Sequence, residues 1–385
     1  MWIYILNIIL SSLLFIGADI VYRKNKHNYF YIFLLLGIIL ISSAIAGFRG
    51  DTIGTDVLVY AEPLQRLANV TDKFSDYLNN NMFIGVEKGY LALIFLVSRF
   101  SNKLFVSQLI VEFIILASFI IGIWKFRKFR NIYSYSVICI FIFYCFFYNL
   151  SFNMIRQSIA IFILFLSFNY LFRNEYIKYC IGTVVAILFH SSAIIAVPIA
   201  LIYIMTRDNN EKLTIKYNVS EVSQNFSFFM SLIILLVAAT LLLIPKSWGA
   251  ILHLTGLDIY TSRYMSMFSL HLSYSNLGIR LLLLSVLLIE WNNMSANKNK
   301  LRYFYLVIAV LDIFLFSFSG YIIRIGWYTT SIYMYSIPDA LSFESKDKKI
   351  ILTLILIIGL MGYWYFYNVM VGYNDTVPYI FGNFN

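Results

Sequence analysis

Residues 152–165 read FNMIRQSIAIFILF, so Arg156 and Gln157 open a helix-length apolar run. An arginine at the centre of a membrane helix costs about 2.5–3.5 kcal/mol, and such residues usually face a bundle interior or a water-filled cavity. Near a span end a single arginine has a plainer explanation, snorkelling of its head toward the interface. Yet the pattern recurs: Arg280 lies a turn into another apolar run, Arg324 sits in SGYIIRIGWY, and Arg49 stands in AGFRGDTIGTDVLVYAEP beside Asp51 and Asp56. Glu87 follows in VEKGY, His190 in ILFHSSAI, and Arg263 further on. Arginine forks match phosphate oxygens in bidentate fashion and stay charged, so several on one side of a membrane favour a shared anionic ligand. His190, Asp51, Asp56 and Glu87 are then the groups able to accept a proton.

Composition says what must position them. The 385 residues are 61% hydrophobic and 12% charged, with a mean hydropathy of +0.78. Soluble domains carry about 25% charged residues, so this is an integral membrane protein. Apolar runs recur along the whole chain and Met1-Trp2-Ile3 has no basic start, so the first run reads as a retained helix rather than a cleaved signal. Runs of about 17–25 apolar residues place twelve spans, at about 2–21, 29–47, 104–123, 132–149, 153–172, 176–190, 191–205, 226–244, 276–291, 302–318, 320–340 and 349–367. Six loops, YRKNKHN, KFRKFRN, RNEYIK, TRDNNEKLTIK, NNMSANKNKLR and ESKDKK, hold 18 of the 29 Lys and Arg. The positive-inside rule puts them in the cytoplasm and both termini outside. The net charge of +10 is thereby assigned to topology and not to nucleic acid.

Residues 88–99 are apolar but too short to span, and read as an interfacial or re-entrant helix on the outer side. The run 182–205 reads as two short helices meeting at His190. The expected fold is all-α and polytopic: one transmembrane domain over residues 1–385, with larger outer loops at about 48–103 and 245–275. In that frame Arg49, Arg156, His190, Arg263, Arg280 and Arg324 all fall near the outer face.

Other chemistries are poorly supplied. No Walker loop, GxGxxG, HExxH or DxD occurs, which removes the usual nucleotide and metal-dependent glycosyl transfer signatures. Cys139, Cys145 and Cys180 lie in apolar runs and never as CxxC, so they read as buried filler. His27, His190, His253 and His271 are too scattered for a metal site, and no cofactor is expected. Asp19, Glu112 and Asp312 lie inside spans, where a carboxylate is either functional or bonded to Ser, Tyr or Arg within the bundle. Tyr60, Tyr90, Tyr260, Tyr264, Tyr321 and Tyr328 share the expected outer side and have two readings, membrane belt or platforms for sugar rings.

The ordered blocks RGDTIGTDVLVY (49–60), VEKGY (86–90), NMIRQSIA (153–160), ILFHSSAIIAVPIAL (187–201), YIIRIGWYTTSIYMYSIPDAL (321–341) and VPYIF (377–381) resemble the EpsG-type branch of the Wzy polysaccharide polymerases. Between about 206 and 275 the resemblance rests on hydropathy alone. It implies a metal-independent glycosyltransferase of the GT-C class, joining oligosaccharide repeat units on undecaprenyl diphosphate at the outer face of the bacterial inner membrane. A chain-length regulator and a flippase are the partners it implies. Expulsion of a diphosphate without a metal calls for fixed cations, expected to be Arg156, Arg280 and Arg324 with Arg49 assisting. His190, Asp51 and Glu87 are the expected base candidates, and Asp56, Tyr60, Gln157 and Tyr321 further substrate contacts. A polysaccharide flippase or other secondary transporter would also be polytopic, basic and aromatic, but should spread its charges through a central cavity. A membrane acyltransferase could use His190 as base, though it would need a donor site opening inward.

Overall fold

The computed structural model describes residues 1–80, 85–132, 137–207, 273–297, 299–318 and 321–382, with the Tyr321 side chain left out. The expected span 226–244, the loop at 245–275 up to residue 272, His253, Arg263, His271, Tyr260 and Tyr264 lie outside the described residues. The described residues form helices, turns and loops, with isolated bridge positions such as the antiparallel pair Arg49 and Phe381. Backbone polar groups in lipid must be satisfied within their own segment, which helices do.

Two compact units account for the chain, residues 1–194 with 350–385, and residues 195–349. The first unit begins with α1 (Trp2–Lys24) and α2 (Phe30–Gly47). A π-turn (Val57–Ala61) and three shorter helices follow, α3 (Glu62–Val70), α4 (Phe74–Leu78) and α5 (Lys88–Ser98). Then come α6 (Leu104–Arg130), α7 (Ile138–Ser151), α8 (Ile155–Phe172) and α9 (Tyr176–Phe189). In the second unit are α10 (Ala196–Thr206), α11 (Tyr274–Ile289), α12 (Trp291–Ala296), α13 (Arg302–Leu315), α14 (Tyr321–Ser331) and α15 (Tyr333–Leu341). The last helix, α16 (Lys346–Tyr365), carries the chain back into the first unit.

Among the described residues five helices are long and apolar enough to cross a membrane: Trp2–Lys24, Phe30–Gly47, Leu104–Arg130, Ile155–Phe172 and Lys346–Met370. The chain is a multi-pass membrane protein. Other expected spans are shorter helices: α7, α9 and α11 fall below full span length, and the expected span 320–340 is two helices, α14 and α15. Hydropathy does not see such breaks, because a turn built of apolar residues scores like helix. Conversely α6 runs to Arg130, through the basic stretch read as a loop, and ends on Asn131 in the left-handed region (φ 56°).

Helix α8 is the centre of the first unit: 78% of its most apolar 18-residue stretch is buried, against 28% for Lys346–Met370. That explains a sequence apolar all round rather than on one stripe. Phe119 stacks on Phe143 with ring centres 4.3 Å apart, and Phe162 joins both edge-on. Polar groups inside the unit satisfy one another. Tyr144 shares its hydroxyl with Ser11 (2.7 Å) and Ser42 (2.5 Å), and Ser42 donates to Asn7 Oδ1 (2.9 Å), which ties α1, α2 and α7 together. At the basic ends of α1 and α6, Asp19 accepts from Arg23 (2.6 Å) and pairs with Arg127, whose guanidinium also lies 4.3 Å from the Trp124 ring.

In the second unit, Asp312 and Arg280 are both wholly enclosed and form an ion pair of 2.9 Å. Thr329 and Thr330 each donate a hydroxyl to Asp312 Oδ1 at 2.7 Å, and Phe316 covers the guanidinium. This joins α11, α13 and α14. Asp339 accepts from Asn299 (3.1 Å) and Tyr305 (2.9 Å), which pins α15 to α13.

Candidate functional site

At one end of the first unit the loop 48–56, α5, the head of α8 and the end of α9 converge. The loop leaves α2 at Phe48 and is bound by the tail of the chain: Gly50 N–H donates to Ile380 O (2.8 Å) and Gly382 N–H to Phe48 O (3.1 Å). Gly54 has φ +92°, and a Cβ there would stand 2.4 Å from Phe152 O, so both conformation and space require glycine. Thr55 donates its N–H (2.7 Å) and its hydroxyl (3.2 Å) to Asn153 Oδ1, and the Asn153 amide donates to Asn374 O near the chain's end. Three blocks far apart in sequence are thus bound to each other just before Arg156.

Arg156 stands in the first turn of α8, and its Nη1 pairs with Glu87 Oε2. The two side chains are 21% and 16% exposed, so the pair is reachable from outside. The Arg156 guanidinium lies over the Tyr60 ring at 4.7 Å, a cation–π contact. Tyr60 in turn donates to Asp56 Oδ2 at 2.5 Å, and the same oxygen accepts the Ile155 N–H (3.3 Å). Asp56 therefore occupies the positive end of the α8 dipole. Burial, and then the Asp56 carboxylate, hold the Tyr60 phenol well above its ordinary value, so it remains a donor.

Glu87 caps the start of α5, and its second oxygen accepts the Ser191 N–H at 3.2 Å. His190, directly before, is nearly buried and in extended conformation, breaking the chain between α9 and the short 3-10 turn Ser191–Ile195. The break falls where the sequence places it. Ser192 N–H donates to His190 Nδ1 (3.2 Å), with the Ser192 hydroxyl 2.6 Å from the same nitrogen. A backbone N–H only donates, so Nδ1 accepts and the neutral ring carries its proton on Nε2. In this arrangement His190 is better equipped to donate at Nε2 than to take a proton at Nδ1.

The remaining expected residues separate. Arg49 is buried, spending Nη1 on Ala46 O (2.6 Å) and Nε on Ile53 O (3.3 Å), with the Phe152 ring 4.2 Å away. Burial pulls its guanidinium below the ordinary arginine value, partly offset by the Glu112 carboxylate. Its bonds hold the loop together. Asp51 is exposed at the loop's tip, and partial desolvation followed by the Glu62 carboxylate raises it above the usual carboxylate range. Gln157 is buried beside Arg156 in α8. Arg280, Arg324 and Tyr321 belong to the second unit. Arg324 is exposed on α14, whereas Arg280 is enclosed with Asp312 as its ion-pair partner.

Asn153 and Ser192 did not stand out in the sequence, although both lie inside the blocks quoted above. Glu112, on α6, accepts from the Ser151 hydroxyl (2.9 Å) and lines a small cavity with Gln108, Ser107, Tyr90 and Arg49. An intramembrane carboxylate bonded to serine is one of the two readings weighed for it.

Gly89 sets how α5 presents Glu87. A Cβ at Gly89 would stand 2.5 Å from Leu188 O, so α5 and α9 touch backbone to backbone. Gly89→Ala is expected to cost about 1–3 kcal/mol and to lower activity by displacing Glu87. Gly278→Ala, where the new methyl meets no atom within 4 Å, is the control and should be neutral or stabilise by about 0.5–1 kcal/mol. Melting temperature in detergent and product formation check both.

A family model described as the EpsG family matches residues 34–381. No curated protein and no solved structure matches the chain.

Proposed function

The chain belongs to the EpsG family, a Wzy-type polymerase-like family, and on that premise we propose that it is a polysaccharide polymerase of the bacterial inner membrane. Its substrates are oligosaccharide repeat units on undecaprenyl diphosphate, joined at the outer face by a GT-C-type polytopic glycosyltransferase. The observation that carries this reading is the Arg156 site. A partly exposed guanidinium, held by Tyr60 and Glu87, stands at the end of an apolar helix, where the head of a membrane lipid meets the protein.

The reaction is a single displacement. An acceptor hydroxyl oxygen forms a bond to the anomeric carbon of the donor sugar, and the bond from that carbon to the diphosphate oxygen breaks. The electron pair leaves with the diphosphate, the hydroxyl proton goes to a carboxylate or imidazole, and the configuration inverts. Glu87, Asp51 and His190 are the base candidates. Arg156 meets the charge that develops on the leaving diphosphate without a metal, in the manner of a fixed oxyanion donor. His190, donating at Nε2, suits the same anion.

Labelled lipid-linked repeat units supplied to the purified protein in liposomes test this directly. Polymerase activity lengthens them into a ladder. Translocation without elongation would assign the protein to transport, and the absence of both would end the polymerase reading.

A further inference from the structure

We propose that Glu87 is the internal occupant of the anion site at Arg156: a lipid-linked diphosphate exchanges with its carboxylate, which then takes the proton of the acceptor hydroxyl. This rests on the polymerase reading and selects one base among its candidates.

The geometry of the pair is what singles it out. The ion pairs Arg280–Asp312, with both side chains 0% exposed, and Arg127–Asp19, with 2% and 6%, also join separate helices, and both are sealed. Arg156–Glu87, at 21% and 16%, joins residues 69 apart in sequence and stays open to exchange. A pair that water reaches contributes less net stabilisation than its charges suggest, because water competes for both of them. A diphosphate carries more charge than a carboxylate and accepts an arginine fork at two oxygens, so it wins the exchange.

Both groups are also held so that exchange leaves them in place. The Tyr60 ring supports the guanidinium from its face, and Asp56 fixes Tyr60 through the 2.5 Å hydrogen bond. Glu87 keeps its other oxygen on the Ser191 N–H when Arg156 lets go. The released oxygen is then a carboxylate acceptor next to the docked leaving group, as a general base for the incoming hydroxyl requires. The acceptor O–H bond breaks toward Glu87, the new C–O bond forms, and the C–O bond to diphosphate breaks with its electron pair leaving on the lipid.

Farnesyl diphosphate binding to the purified full chain, read by calorimetry beside turnover of lipid-linked repeat units, tests this. Removing the competing charge in Glu87→Gln should tighten binding about five- to tenfold while elongation collapses. Glu87→Asp, one methylene shorter and milder for folding, should tighten it in the same direction by less. Binding unchanged or weakened in both variants, with melting temperatures held, would overturn the exchange. Arg156→Ala binding farnesyl diphosphate as tightly as wild type would overturn the anion site itself, whereas the polymerase reading fails separately, if the wild-type protein does not lengthen the lipid-linked repeat units.

Discussion

Arg156→Ala is expected to cut polymer elongation about 10²–10³-fold, the usual loss when one fixed donor to a developing anion is removed. The protein should still reach the membrane in normal amount. Its partner Glu87 is 16% exposed and becomes a solvated carboxylate rather than a sealed charge. Arg156→Lys is the sharper test. It keeps the charge but loses the planar fork and the stacking on Tyr60, so it should recover only part of the activity. In a deletion strain, wild type should restore a ladder of surface glycan, and well-expressed Arg156→Ala should leave a single repeat unit. A full ladder from Arg156→Ala would return Arg156 to snorkelling at a helix end.

Asp312→Ala is expected to have the largest effect on stability, about 3–5 kcal/mol, because it strands the enclosed Arg280 guanidinium without a counter-charge. The hydroxyls of Thr329 and Thr330 lose their acceptor at the same time. Replacing both charges, as Arg280→Met with Asp312→Leu, should be far less damaging than Asp312→Ala alone, since no buried charge is left over. Thermal unfolding of the three proteins in one detergent decides it. If the double variant proved as unstable as the single one, the pair would be contributing more than it costs to bury. If the double variant folded but lost all elongation, Arg280 would have a part beyond holding α11 to α13.

What the sequence by itself determined is what short-range chemistry determines. Apolar runs became helices, because a backbone in lipid has few other ways to satisfy its polar groups. The break at His190 was visible, and so was Arg156 at the head of its helix. The blocks around Arg49, Glu87, Arg156 and His190 were legible as a set, and Asp56, Tyr60, Glu87, Arg156 and His190 from them now stand at one end of the first unit. What each of them touches was decided only in three dimensions. Glu87 meets Arg156 across 69 positions, and Asn153 reaches Asn374 across 221. The tail at Phe381 bridges to Arg49. Arg49, Arg156 and Arg280 have the same side chain at similar places in apolar runs. Hydropathy therefore treats them alike, yet one ties a loop, one stands open beside a tyrosine, and one is neutralised by Asp312. A window average records how apolar a stretch is and carries no information about the face each side chain turns to its neighbour. Whether a buried charge binds a ligand or a partner depends on that facing, and only the packing of the helices supplies it.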